Sequence, residues 1–143
     1  MLRQRDENKF KKHFTSMLRR HWDVQAIEDK YSSGIPDLNL CADGHEAWLE
    51  LKVIKEFPTR SDTTLGGVLK HLTNDQINWS KRRINHGGKC YLLLKVMKPR
   101  QYILFWGDDM RELKDCNTQE AKNLAMDIWR NSINVIQLLE KLT

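Results

Sequence analysis

Cysteine is scarce: Cys41, Cys90 and Cys116 are odd in number and widely spaced. That argues against a disulfide framework and against a cysteine-ligated zinc site, and it suits a reducing, cytosolic (cytoplasmic) setting. Three prolines and seven glycines leave no low-complexity tract or convincing linker, and no internal repeat is visible. At 143 residues one domain is expected, long enough to bury a proper core. No apolar run approaches the ~20 residues that a bilayer span needs, so no membrane partner is expected. Residues 1–7 lack the apolar stretch of a secretory signal. The five histidines show no ligand spacing; only His71, beside a long loop, stands out. No Gly-Lys-Ser/Thr follows Gly66-Gly67, which excludes a phosphate loop there.

Charge is abundant but unevenly placed. Net charge is +5. Residues 1–22 carry seven Lys/Arg against two acids, and residues 52–100 carry eleven against three. Between them, residues 23–51 carry one Lys against seven acids. Basic blocks suit a phosphate backbone. An acidic island inside that footprint fits best if it holds a cation; ordinary surface scatter is the bland alternative.

Periodicity predicts the elements. Phe10, Phe14, Met17 and Leu18 make one stripe of a helix over residues 4–21. Glu7 falls inside the arc of that stripe, either as a solvated first-turn acid or as a buried carboxylate that needs a partner. Residues 23–30 read as a weak strand and residues 31–35 as a turn. Pro36 and Asp37 open a strand that turns at Asp43-Gly44 into a second one. Over residues 46–53 alternation is strict: Ala47, Leu49, Leu51 and Val53 inward, Glu46, Trp48, Glu50 and Lys52 outward. Residues 54–71 have no clean period and read as a long exposed loop. Thr73 and Gln76 form a capping box for a helix that ends near Asn85 to Gly88. Residues 89–96 and 101–106 are apolar strands, antiparallel because their link is short. Residues 107–116 read as polar connection. Asn117 caps a helix carried through Ala121, Leu124, Ala125, Ile128 and Trp129, and the tail to Leu142 reads as helical. The fold class is therefore α/β, a mixed sheet flanked by helices, with a core over about residues 4–106 and extra C-terminal helices over 117–143.

Asp37, Glu50 and Lys52 fall on the polar faces of the hairpin and can meet there. Phosphodiester hydrolysis needs a cation on the phosphate, an activated water and an offset for developing charge. Carboxylate and carbonyl oxygens suit Mg²⁺ or Mn²⁺. Asp37 and Glu50 supply carboxylates, and the Leu51 carbonyl lies beside Glu50. The Lys52 ammonium can hold water or offset charge. Glu7 is a further candidate ligand, and Gln76 is placed to orient water or phosphate. By themselves these residues equally describe a charged strand edge.

A wider pattern adds to this. An acid in the first helix, Ser33-Gly34, Pro36-Asp37, Glu50-Leu51-Lys52, Leu72-Thr73-x-x-Gln76 and Gly87-Gly88 before an apolar strand stand in order. From Glu7 to Val96 the chain resembles the PD-(D/E)XK nuclease superfamily. Within it the chain looks like the archaeal-type Holliday-junction resolvases and the VRR-NUC domains, which are often viral or phage-borne. The resemblance implies a restriction-endonuclease-like core and metal ligands at Asp37 and Glu50. It also implies a catalytic Lys52, an auxiliary Glu7, a supporting Gln76 and water attack leaving a 5′-phosphate. Ser33 is a backbone or phosphate contact in that reading. The loop over 54–71 is longer and less basic than the resolvase pattern, and the last 40 or so residues lie beyond it.

The leading expectation is a Mg²⁺- or Mn²⁺-dependent endodeoxyribonuclease for branched DNA, Holliday junctions above all. It is expected to work as a homodimer with two sites on opposite strands. Lys9, Lys12, Lys55, Arg60, Lys70, Lys81, Arg82 and Arg83 are the candidate DNA contacts. The alternatives are a monomeric VRR-NUC-like nuclease for flaps, nicks or duplex, and a catalytically inactive binding module. Trp48 and Trp79 are candidates for base stacking as well as for core or subunit contacts. Trp22, Trp106 and Trp129 are expected in the core or an interface.

Overall fold

A computed structural model describes residues 4–28 and 33–143. Phe10, Phe14 and Leu18 recur every fourth position and bury one side of α1, Gln4–Leu18. The chain then forms β1, Asp23–Ala26, the strand expected from residue 23. Asp29 and Lys30 of that expected strand, and Tyr31 and Ser32 of the turn after it, lie outside the described residues. The hairpin forms as expected: β2, Leu38–Ala42, and β3, His45–Ile54, pair antiparallel with Leu38 opposite Leu49 and Ala42 opposite His45. A long crossover carrying α2, Asn74–Asn85, leads to β4, Cys90–Val96, which lies parallel to β3. β5, Gln101–Trp106, returns antiparallel to β4. With a last strand, β6, Asp127–Arg130, the result is a mixed α/β sheet of six strands among the described residues, in chain order from β1 to β6.

Helices cover both faces of the sheet. The odd-numbered residues of β3, Ala47 to Val53, share one core with α1, Tyr91, Leu93 and Leu104. The opposite face carries Leu92, Leu94, Ile103 and Phe105, packed with Leu65, Leu69, Leu72 and Ile77. β4 is therefore buried on both sides, and its near-continuous apolar run follows from that. Each fully buried Leu or Phe contributes about 1.5–3 kcal/mol relative to an exposed one.

Several expectations change. The C-terminal segment is not wholly helical. α4, Thr118–Leu124, ends where the Ala125 N–H closes on the Ala121 carbonyl and Ala125 turns extended. Met126 then bonds the Leu104 carbonyl, and β6, Asp127–Arg130, adds to the open edge of β5. Ile128 and Trp129 have residue types that suit a pleated surface, and an available edge decided between their two periods. The sheet thus continues past residue 106, and α5, Val135–Lys141, follows β6. Residues 107–116 are not mere connection: Met110 and Leu113 are buried on α3, Met110–Asp115. The loop over 54–71 is not exposed throughout. Leu65, Leu69 and Leu72, spaced i, i+4, i+7, are all buried. Asp37 stands just before β2 rather than within it.

Candidate active site

The outward face of β3 is not a solvent face. Trp48, Glu50 and Lys52 lie beneath α2 and the end of the crossover loop, and Glu50 is only 2% exposed. The register that sets Leu38 opposite Leu49 puts Asp37 level with Glu50. One oxygen of Asp37, Oδ2, accepts the Leu51 backbone N–H at 2.8 Å. The other, Oδ1, lies 3.0 Å from the Lys11 ammonium. Lys52 Nζ is 3.6 Å from Glu50 Oε1 and donates to the His71 carbonyl at 3.0 Å. Gln76 Nε2 donates to the same Glu50 oxygen at 3.5 Å.

Gln76 reaches Glu50 because its other end is fixed. Its Oε1 accepts the Thr73 N–H at 3.0 Å, and its own N–H returns to Thr73 Oγ1 at 3.3 Å. That is the capping box the sequence predicts. Both ends of the amide are thereby engaged, one by Thr73 and the other by Glu50.

Burial first, and the neighbouring Asp37 charge next, push the Glu50 carboxyl well above the usual carboxylate range. Lys52 and Lys11 pull it the other way. For Lys11, burial opposes the charge, but the Asp37 charge and hydrogen bond outweigh it, and its pKa is raised. A buried carboxylate beside a second one is costly without a cation. The donors are all oxygen: Asp37, Glu50 and the Leu51 carbonyl. Such a set fits Mg²⁺ or Mn²⁺, and Mg²⁺ commonly binds through one or two carboxylates, keeping water and phosphate for its other positions. The residues present therefore fit the implied metal.

Between the ordinary carboxylate pKa and the raised native one, the folded chain binds a proton that the unfolded chain has lost. Stability therefore falls as pH rises through that window. In metal-free buffer at pH 8, Glu50→Gln is expected to raise Tm by about 3–6 °C, from relief of about 1–2 kcal/mol. The gain shrinks toward zero below the ordinary carboxylate range, where native Glu50 is already neutral. A melting point unchanged at pH 8 would show that Lys52 and Lys11 already compensate the charge.

The structure brings Asp37, Glu50, Leu51, Lys52 and Gln76 together and adds Lys11. Glu7 stands one helical turn before Lys11 and acts on its charge. It does not complete a three-carboxylate cluster: among the described residues no group of three or more His, Cys, Asp or Glu is gathered to hold an ion. Ser33 is exposed beside Gly34. Lys12 lines a groove of about 610 Å³ with Lys11, Arg19 and Asp37. Lys9 instead lines a separate cavity with Phe10, Met17 and Tyr102. Lys55, Lys70, Lys81, Arg82 and Arg83 are exposed, and Arg60 pairs with Asp62 at 3.5 Å in open solvent, a contact of little energy.

Lys11 is the site residue the sequence reading passed over. It sits among the outward Lys of α1, and only the 26-residue separation closed by the fold makes it a partner of Asp37. Its i+4 relation to Glu7 was the one local signal.

No protein-family model and no curated protein sequence matches the chain. Among solved structures, a Holliday junction resolvase from the archaeal hyperthermophile Archaeoglobus fulgidus is similar over 71% of this chain and 73% of that one. The identity is 14% and the TM-score 0.49. A likeness at that level decides neither activity nor substrate. No helix among the described residues is long and apolar enough to cross a membrane.

Proposed function

We propose that the chain is a divalent-metal-dependent endodeoxyribonuclease that cuts branched DNA, with the Holliday junction as its preferred substrate. The observation that carries this reading is Glu50, buried beside Asp37 and ringed by Lys52 and Gln76. Burial holds this carboxyl away from its ordinary range in a cluster of charged and polar groups, the kind of perturbed group that a chemical use accounts for.

Hydrolysis joins a water oxygen to phosphorus and breaks the P–O3′ bond, leaving a 5′-phosphate and a 3′-hydroxyl. A bound Mg²⁺ or Mn²⁺ would be held by Asp37, Glu50 and the Leu51 carbonyl, and would supply Lewis-acid polarisation of the phosphate. Lys52 has three protons to donate. One goes to the His71 carbonyl and one is directed toward Glu50. The third is free to hold the attacking water or a phosphate oxygen. The carbonyl fixes the ammonium in place, so little reorganisation is needed when charge develops. Lys11 secures Asp37 from the α1 side.

The groove of Lys11, Lys12 and Arg19 reaches Asp37, and α2, which brings Gln76 to Glu50, also carries the exposed Lys81, Arg82 and Arg83. Basic groups on both helices that serve the site suit the backbones of more than one DNA arm. A homodimer would place two such sites on opposite strands.

The test compares end-labelled four-way junction, flap and blunt duplex in Mg²⁺ and in Mn²⁺, with the mass of the chain measured in solution. Junction cleavage at least tenfold faster than duplex, by a dimer, is expected. Equal rates from a monomer would favour a flap or duplex nuclease. Binding without cleavage in either metal would make the chain an inactive module.

A further inference from the structure

Trp48 and Trp79 belong to neither hydrophobic core. Both are half-buried, with ring centroids 5.0 Å apart in an edge-to-face arrangement. The Arg83 guanidinium lies over both, 5.2 Å from the Trp48 centroid and 5.4 Å from that of Trp79. Tryptophan rings of a core would pack among aliphatic side chains. These two face an exposed arginine that makes no ion pair among the described residues.

Their position follows from the geometry that makes the site. Trp48, Glu50 and Lys52 alternate along one face of β3. Gln76, Trp79 and Arg83 follow one another at three- and four-residue steps along one face of α2. Gln76 meets Glu50, and Trp79 meets Trp48. The helix therefore runs back along the strand, and the aromatic pair lies one step from the carboxylates on the same two supports. That step is about 7 Å along β3 and one turn of about 5 Å along α2.

The surroundings are open and basic. A cavity of about 250 Å³ lies between Trp48, Arg83 and Lys89, with Gly44, Gly87 and Gly88 at its wall. At Gly88 a Cβ would stand 2.7 Å from Arg83 Cγ and 2.9 Å from the Arg83 carbonyl, so the glycine lets Arg83 settle against the chain. A second cavity of about 250 Å³ opens between Trp79, Arg82, Arg83 and His86. Glu46 is the one acid lining either, and Asn39 donates to it at 3.2 Å. Flat π faces, an exposed guanidinium free of an ion pair among the described residues and surplus positive charge together match an unpaired nucleotide: its base stacks and its phosphate pairs. A protein partner would need no such charge, and duplex DNA would hide its bases from the rings.

We propose that Trp48, Trp79 and Arg83 form a stacking platform for an unpaired base one step from the cleaved bond. The placement beside a cleaved bond rests on the nuclease reading above; the platform itself does not. Arg83 caps the ring pair until a base takes its place, then turns its fork to the adjoining phosphate. The enzyme thereby favours DNA whose strands are already unpaired near the branch point over continuous duplex.

The test measures binding in the presence of a chelator, so that cleavage plays no part. A fluorescent short oligodeoxythymidylate and a blunt duplex of equal length are titrated with the full chain. Trp79→Ala is expected to weaken single-strand binding about tenfold and duplex binding less than about twofold. Trp79→Phe, which keeps a π face, is expected to stay within about threefold of wild type and guards against a folding artefact. Saturating oligonucleotide should quench tryptophan emission in the wild type, and less in Trp79→Ala. Parallel losses for both DNAs, or no loss for either, overturn the proposal. So does a shift of Trp79→Ala from dimer to monomer with unchanged oligonucleotide affinity, which would make the pair an interface between copies. A chain that passes this test yet cuts neither junction, flap nor duplex in Mg²⁺ or Mn²⁺ retains the platform and loses the nuclease reading.

Discussion

Lys52→Ala is expected to slow junction cleavage by about 10²–10⁴-fold, with metal binding near wild type and a lowered melting temperature, because Glu50 loses its nearest cation. Lys52 stands 3.6 Å from Glu50, its Nζ is fixed by the His71 carbonyl, and it has a proton left for substrate. Alanine removes that donor and leaves both carboxylates. Glu50→Ala is expected to abolish cleavage to a similar or greater extent, and for a different reason. It removes an oxygen donor, so calorimetry should show Mn²⁺ affinity falling together with activity. Running both variants separates the roles: rate without metal loss for Lys52, rate with metal loss for Glu50. Unchanged cleavage in both would reduce the acidic island to a charged strand edge.

Gly34→Ala is expected to cost the fold about 2–4 kcal/mol, a fall in Tm of roughly 6–12 °C. Gly34 has φ of +89°, and a Cβ there would stand 2.2 Å from the Asp75 carbonyl oxygen and 2.6 Å from its carbon. Both atoms are main chain of the first turn of α2, one residue before Gln76, and cannot step aside singly. Either the loop retreats and draws Asp37 from Glu50, or α2 lifts and takes Gln76 with it. Activity should therefore fall well below what the folded fraction accounts for at 25 °C. Gly44→Ala supplies the control. Its φ is +80°, yet nothing lies within 4 Å of a Cβ there. It should cost only the backbone term, about 1–2 kcal/mol. Thermal melts of the two variants that coincide would show that the loop yields to Asp75 without strain.

The hairpin was the most legible part of the chain. Alternation over residues 46–53 set the correct face for Ala47, Leu49, Leu51 and Val53, because a strand has only two faces and a one-residue slip would exchange them. The same alternation could not tell that the other face is covered, since a polar residue under a helix and one in water look alike in sequence. Glu50 was thus legible as a candidate and illegible as a buried group. The capping box of Thr73 and Gln76 was readable because it is local. Lys11 was not, because its partner is 26 positions away. Leu65, Leu69 and Leu72 carried helical spacing in a stretch whose glycines and turns obscured it. Ile128 and Trp129 continued a helical stripe but went to the edge of β5, where tertiary pairing outweighed local preference.

The Leu51 N–H donates to Asp37 Oδ2 across the gap between β2 and β3. β2 as a paired strand begins at Leu38, so at Asp37 a side chain supplies the rung that the backbone ladder would otherwise supply. One carboxylate oxygen closes the sheet at that level while the other faces Lys11. Asp37 is therefore mortised into the fold: its charge is set by a main-chain amide of the very strand that carries Glu50. Opening of that rung and drift of the carboxylate are the same event. The Leu51 amide, by its hydrogen exchange, registers whether the site is assembled, with no substrate present.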